Sequence, residues 1–279
     1  TRPQGLRAVR GFLAHTRRKV ELEDGEMAIL TPHGYSIHDI KGKIFQREPE
    51  TIDWSVEQAK KGGYPHFMLK EIYEQPDAIR NVFRGRLVDD EGTAYYGGLR
   101  DVMSELVNAD HIKIIACGTS KYAGDLGKYA IEELAGIPVD VELASEFHCR
   151  NPVLSKGDVV IAISQSGETA DTLYAVREAK RQGVLCLGII NAVGSSIARE
   201  TNAGVYLHIG PEIGVASTKA FTAQYGVLAG IALAIGRKKK RISLDEGCGI
   251  VNEFRRIPEL MISVLSGREQ IGEIAEKYM

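Results

Sequence analysis

The sequence predicts an α/β fold, a five-stranded parallel sheet flanked by helices and preceded by a short β meander. Two observations predict it. From residue 112 onward, five apolar runs of strand length alternate with helical stretches. These runs are apolar throughout, as strands covered on both faces must be.

The elements follow in chain order. Val20 to Glu23 and Met27 to Leu30 flank Asp24-Gly25, a hairpin signal, because Asp-Gly supplies the positive φ of a tight turn. Pro32-His33-Gly34 and Lys41-Gly42-Lys43 are further turns, and Tyr35, Ile37 and Asp39 alternate between them. This meander is too small to hold a core alone. The sequence from Trp54 is polar, and Lys61-Gly62-Gly63-Tyr64-Pro65 breaks the chain, so a linker is expected over 51–64. His66 to Ile79 is predicted helical, with Phe67, Leu69, Ile72 and Tyr73 spaced for one or two faces.

The predicted sheet strands are Ile112 to Ala116, Pro138 to Leu143, Asp158 to Ile163, Val184 to Ile190 and Gly204 to Ile209. Helices are expected at Thr119 to Ala135, from Ser145, at Thr169 to Gln182, at Ser195 to Glu200 and at Ser217 to Ile235. Arg237 to Arg241 is a basic run at a helix end, where cations favour the dipole. Ser243 to Met279 is predicted mostly helical, with no strand of its own.

Composition narrows the function. The chain has 279 residues, 44% hydrophobic and 26% charged, with a net charge of −2, so nothing calls for nucleic acid. No uninterrupted apolar run reaches the roughly 20 residues of a membrane span, and Thr1 to Gly5 opens no signal peptide. Cys117, Cys149, Cys186 and Cys248 show no CxxC spacing, so no metal site is expected and the thiols suit a reducing cytoplasm. The chain begins at Thr1 and ends within a helical pattern at Met279, so a segment of a longer protein is expected.

Ligands of an open parallel sheet bind beyond the C-terminal strand ends. The first strand ends in Cys117-Gly118-Thr119-Ser120 and the third in Ser164-Gln165-Ser166-Gly167-Glu168-Thr169. Both turns lead directly into helices, whose N-termini offer free N–H groups and partial positive charge. Hydroxyls add donors, and Gly118 and Gly167 permit close backbone approach. Ser and Thr are also ordinary helix caps; two such turns at strand ends, with Gln165 in reach of sugar hydroxyls, favour an anionic ester such as a phosphate. Val215, Ala216 and Ser217, before the last long helix, are expected to line the same crevice. Glu168 either complements its helix dipole or acts as a base. Lys219 either contacts phosphate, forms a Schiff base, or is ion-paired. The run from Gly118 to Gly124 is neither GxGxxG nor a Walker A loop, so no nucleotide cofactor is expected. The seven histidines are scattered, His148 reads as structural, and no catalytic acid/base set emerges.

Gly62 to Ile72, Cys117 to Ser120, Ser164 to Thr172 and Glu212 to Phe221, in this order and spacing, resemble the glutamine:fructose-6-phosphate amidotransferases, the glucosamine-6-phosphate synthases. The resemblance covers almost the whole chain. It implies a flavodoxin-like SIS (sugar isomerase) domain over 65–241, the last strands of a glutaminase domain over 1–50 (Thr16-Arg17-Arg18, then Leu22 to Gly25), and over 242–279 a helical connection to a second SIS domain. It also implies fructose 6-phosphate or glucosamine 6-phosphate as ligand. Cys117, Gly118, Thr119 and Ser120 would lie at the sugar, Ser164, Gln165, Ser166, Gly167 and Thr169 at the phosphate, and Val215, Ala216 and Ser217 along the sugar chain. The family's cysteine nucleophile, isomerase glutamate, ring-opening histidine and Schiff-base lysine belong to parts this sequence does not carry, so binding without efficient turnover is expected of the chain alone. The alternatives are a non-catalytic sugar-phosphate sensor and a stand-alone isomerase or deglycase. A homodimer is expected, with the apolar helix Ser217 to Ile235 as its buried surface.

Overall fold

A computed structural model of the chain describes residues 16, 18–20, 22–23, 25–51 and 61–278. Thr1 to Gly5, Arg17, Glu21, Asp24, Trp54 and Met279, which figure in the expectations above, lie outside the described residues. The chain divides into two compact units, the second beginning at Lys61.

In the first unit, β1 (Arg18–Lys19) pairs with β5 (Glu50–Thr51), and β2 (Glu26–Thr31), β3 (Gly34–Asp39) and β4 (Ile44–Phe45) form an antiparallel meander. Pro32-His33 turns β2 into β3, with Thr31 opposite Gly34. The side chain of Asp39 accepts the amides of Lys41 and Lys43 at 2.8 and 2.9 Å, which closes the next turn. Ile37 is fully buried, and Arg47 binds Glu26 through two hydrogen bonds.

The second unit opens with two helices, α1 (Phe67–Tyr73) and α2 (Gln75–Phe83), where the sequence predicts one. Pro76 sits in the first turn of α2; its ring has no N–H to give to a preceding turn, so the helix restarts at Glu74. A ribbon of β6 (Leu87–Val88) and β7 (Thr93–Ala94), a 3₁₀ turn (Gly97–Val102) and α3 (Met103–Val107) precede the sheet.

The sheet contains β8 (His111–Ala116), β9 (Val139–Leu143), β10 (Asp158–Ser164), β11 (Leu185–Ile190) and β12 (Ala203–Tyr206). All are parallel, in the order β12-β11-β10-β8-β9. All seven residues of β10 are buried, as a central strand of such a sheet requires. The fifth strand is shorter than predicted: its ladder stops at Tyr206, and His208 adopts φ +55°, a left-handed conformation that ends an extended run.

The crossovers are α4 (Thr119–Ala135), α5 (Ala144–Cys149), α6 (Ala170–Arg181) and α7 (Ser196–Glu200), followed by α8 (Lys219–Lys238), α9 (Leu244–Ser266) and α10 (Arg268–Glu276). One face of the sheet packs Ile112, Ile114, Ile161 and Leu187 against Ile131, Val227, Leu228 and Ile231 of the helices. The other packs Ile115, Val160 and Cys186 against Phe147, Ala175 and Val176. α9 starts with a capping box between Ser243 and Glu246.

α8 corrects one expectation. It has the length and mean hydropathy of a membrane span, yet 83% of its apolar window is buried inside the domain. Glycines bring it close to its neighbours: a Cβ on Gly127 of α4 would overlap Leu228, and one on Gly226 would press on Ile79 and Val82. The apolar helix is therefore buried mostly against α4 and α2 of its own chain, with Tyr225 near its start 38% exposed, so most of its apolar surface is already covered within the domain.

Candidate functional site

The strand order reverses direction between β8 and β10. β8 leads outward to β9, and β10 leads to β11 and β12 on the other side. Such a switch point opens a crevice beyond the strand ends. Ile163 of β10 is paired with Ala116 of β8, so Ser164 and Cys117 leave the sheet side by side. Thr172 of α6 also reaches across, its hydroxyl 3.9 Å from the Cys117 sulfur. The two hydroxyl-rich turns thus lie together.

In the first turn, Gly118 has φ +59° and ψ −138°, a conformation open essentially to glycine alone. A Cβ there would touch nothing within 4 Å, so conformation and not crowding requires the glycine. Thr119 is half-buried and begins α4; Ser120 is buried in its first turn. In the second turn, the Ser164 hydroxyl accepts the Gly167 amide at 3.0 Å and lies 3.3 Å from the Thr169 hydroxyl. Ser166 accepts the Glu168 amide at 3.2 Å. Gln165 Nε2 is shielded from solvent, and no protein group accepts from it. Thr169 then caps α6 by position, without a side-chain cap bond.

Glu168 is structural: its Oε1 accepts the amide of Ser196 at 2.8 Å, at the start of α7. Gly167 is held at φ +66°, and its carbonyl accepts the Ile197 amide at 2.9 Å. α7 and the second turn are thereby tied together.

α8 brings the third segment. Gly127 packs on Leu228, and Gly236 packs on the Leu134 carbonyl, so α4 and α8 run in the same direction. Their N-termini point toward the same end of the domain, and Val215, Ala216 and Ser217 immediately precede α8. Val215 is 87% exposed and Ala216 is exposed. Ser217 donates to Glu212 Oε2 at 2.6 Å. Lys219 is buried and ion-paired with Glu74 at 2.7 Å.

Residues 105–234 match the SIS domain family. They are a SIS domain. The chain is 50% identical, over 266 residues, to a glutamine–fructose-6-phosphate aminotransferase [isomerizing] of Chlorobaculum tepidum, covering 95% of this chain and 43% of that protein. A Thermus thermophilus protein of the same name is 46% identical over 270 residues, covering 97% of this chain and 44% of its own length. Among solved structures, the C-terminal domain of glucosamine-fructose-6-phosphate aminotransferase from Francisella tularensis is 40% identical with a TM-score of 0.73, covering 78% of this chain and 60% of that one. The chain spans less than half the length of the curated relatives it matches.

The second unit also holds side chains whose partners the sequence did not show. Glu71 of α1, 2% exposed, accepts the amides of Ile213 and Gly214. Burial pushes its carboxyl above the usual range, against the pull of those two amides. Glu212, 6% exposed, gathers Ser217, Thr218 and Ala220. Asn191, after β11, donates to the Gly210 carbonyl at 2.7 Å and accepts the Ile209 amide at 3.2 Å. His148 lies 3.4 Å from Asp171 and beside Cys149, so one Cys-His-Asp grouping does exist where sequence spacing offered none; it joins α5 to α6.

Proposed function

We propose that the chain binds a six-carbon sugar phosphate, fructose 6-phosphate or glucosamine 6-phosphate, as part of an amidotransferase that makes glucosamine 6-phosphate from fructose 6-phosphate and glutamine. The observation that carries this reading is the pairing of two hydroxyl-rich, glycine-containing turns at adjacent strand ends, each opening a helix. Backbone N–H groups, the Ser166 and Thr169 hydroxyls and the unengaged Gln165 amide suit a dianionic ester. Cys117, Gly118, Thr119 and Ser120 would face the sugar, with Val215 to Ser217 along its chain. The names of the relatives support the substrate and the amino-sugar pathway.

In this reading, 1–50 ends a glutaminase domain, 51–64 links it onward, 65–241 is the sugar-phosphate domain and 242–279 leads toward a second one. Lys219, held by Glu74, has no part in a Schiff base. The chain alone is a binder with little or no turnover. It works in the cytoplasm, in keeping with four unpaired cysteines, and as a homodimer, which sedimentation at micromolar concentration tests. The decisive experiment is calorimetric titration with fructose 6-phosphate. Ser166→Ala and Thr169→Ala should each weaken binding by about 1.5–3 kcal/mol, the worth of a hydrogen bond to a charged group. Unchanged affinity in both would move the phosphate elsewhere.

A further inference from the structure

The segment between β12 and α8 is held first by Asn191, at Ile209 and Gly210, and from Ile213 onward by two buried acids. Glu71 anchors the segment at Ile213 and Gly214, the latter with no room for a Cβ, which would press on Glu71 Oε2. Glu212 then divides its two oxygens. Oε1 accepts the amides of Thr218 and Ala220 at 2.8 and 3.2 Å, and Oε2 accepts the hydroxyl of Ser217 at 2.6 Å.

That division sets what Ser217 can offer. A hydroxyl has one proton to donate, and Ser217 gives its proton to Glu212. The bond is short, as charge-assisted O–H···O bonds are. The remaining capacity of Ser217 Oγ is to accept. Phosphate oxygens in a dianion also only accept, so Ser217 has nothing to give them without breaking its bond to Glu212. A sugar hydroxyl or an amino group can donate to it.

We infer that Glu212 is a positioning residue that fixes Ser217 as a hydrogen-bond acceptor, so that Ser217 selects a donor group on the sugar while the turn after β10 holds the phosphate. This rests on the sugar-phosphate reading above, which sets Ser217 along the sugar, and adds the kind of group Ser217 takes there and the acid that fixes it. Two features concentrate the effect at Ser217. Val215, two residues before it, faces solvent, and Glu71 and Glu212 fix the backbone on both sides.

Glu212→Gln separates this role from a structural one. The amide oxygen of glutamine can keep the bonds to Thr218 and Ala220. Its NH₂ then faces Ser217 as a donor and turns the serine proton outward. Fructose 6-phosphate and inorganic phosphate are titrated calorimetrically into the unsubstituted chain, Glu212→Gln, Ser217→Ala and the double variant. Each single variant should bind fructose 6-phosphate about tenfold more weakly, the double variant no more weakly than either, and inorganic phosphate should bind all four alike. Ser217→Ala leaves Glu212 in place and carries the test if Glu212→Gln does not fold. Fructose 6-phosphate affinity unchanged in both single variants overturns the inference, as does an equal loss for both ligands, which would make Glu212 merely structural. An unsubstituted chain that binds neither ligand overturns the sugar-phosphate reading itself.

Discussion

Gly167 and Ser195 share one small space: a Cβ on Gly167 would fall on the Ser195 hydroxyl. Gly167 also holds φ +66°, a left-handed conformation that other residues adopt at a cost. Gly167→Ala therefore meets both a steric and a conformational penalty, at the point where the turn after β10 is tied to α7. Urea unfolding should show a loss of about 2–4 kcal/mol. Adding Ser195→Gly removes the clash and should return about 1–2 kcal/mol, leaving the backbone penalty. A double variant whose loss equals the sum of the single losses would show that the contact is not the cause.

Glu71 predicts a pH dependence of stability. Burial raises its carboxyl above the usual value of 4.5 in the folded chain, with the Glu212 charge adding to the effect and Lys219 and the two amides opposing it. Between 4.5 and that raised value the folded state binds the proton more tightly than the unfolded state. Stability contributed by this group therefore falls as pH rises through the window, and is restored as pH drops toward 4.5. Glu71→Gln keeps an oxygen for Ile213 and Gly214 and removes the titration. Denaturation midpoints across pH 4.5 to 7 should show the wild-type curve gaining on the variant's toward acid. Parallel curves would show that Glu71 does not titrate in this way.

How much of this was legible in the sequence depends on the range of the interaction. The sheet was legible because a strand covered on both faces must be apolar along its length, as Asp158 to Ser164 nearly is. The two turns were legible because strand ends locate ligands, whatever the details of packing. The break at Glu74 was missed, although Pro76 marked it. An ion pair was one reading of Lys219, but neither its partner Glu74 nor the Glu212 that holds Ser217 was legible, because tertiary pairing sets both. Glu71 and Ile213 are 142 residues apart, and no local pattern marks an acid that will be buried on the far side of such a gap. The apolar period of α8 likewise stated that the helix is buried, but not by what.

Phe254 of α9 stacks on Phe83 of α2, with ring centroids 4.9 Å apart and planes 11° from parallel. Phe83 is 7% exposed, while Phe254 is only partly buried. Phe254→Ala should cost about 2–3 kcal/mol, below the loss for a fully buried aromatic ring. Amide exchange should rise along α9 while β10 stays protected. Equal deprotection of β10 would mean that α9 and the sheet open as one unit.

Three of the four thiols offer a last test of both core and crevice. Cys186, on β11, is fully buried, and burial pushes its thiol up to about 12. The thiolate is the reactive form, so Cys186 should resist alkylation at pH 8 until the chain opens globally, and its labelling should accelerate steeply with urea. Cys149 is exposed and should react quickly in the folded chain. Cys117 stands half-buried at the C-terminal end of β8, where the proposed sugar lies. Fructose 6-phosphate should therefore slow its labelling and leave that of Cys149 unchanged, as followed by mass spectrometry of the alkylated peptides. Cys186 reacting at the rate of Cys149 in the native chain would remove β11 from the protected core. Cys117 labelling that is indifferent to a ligand shown by calorimetry to bind would place the sugar away from the β8 turn.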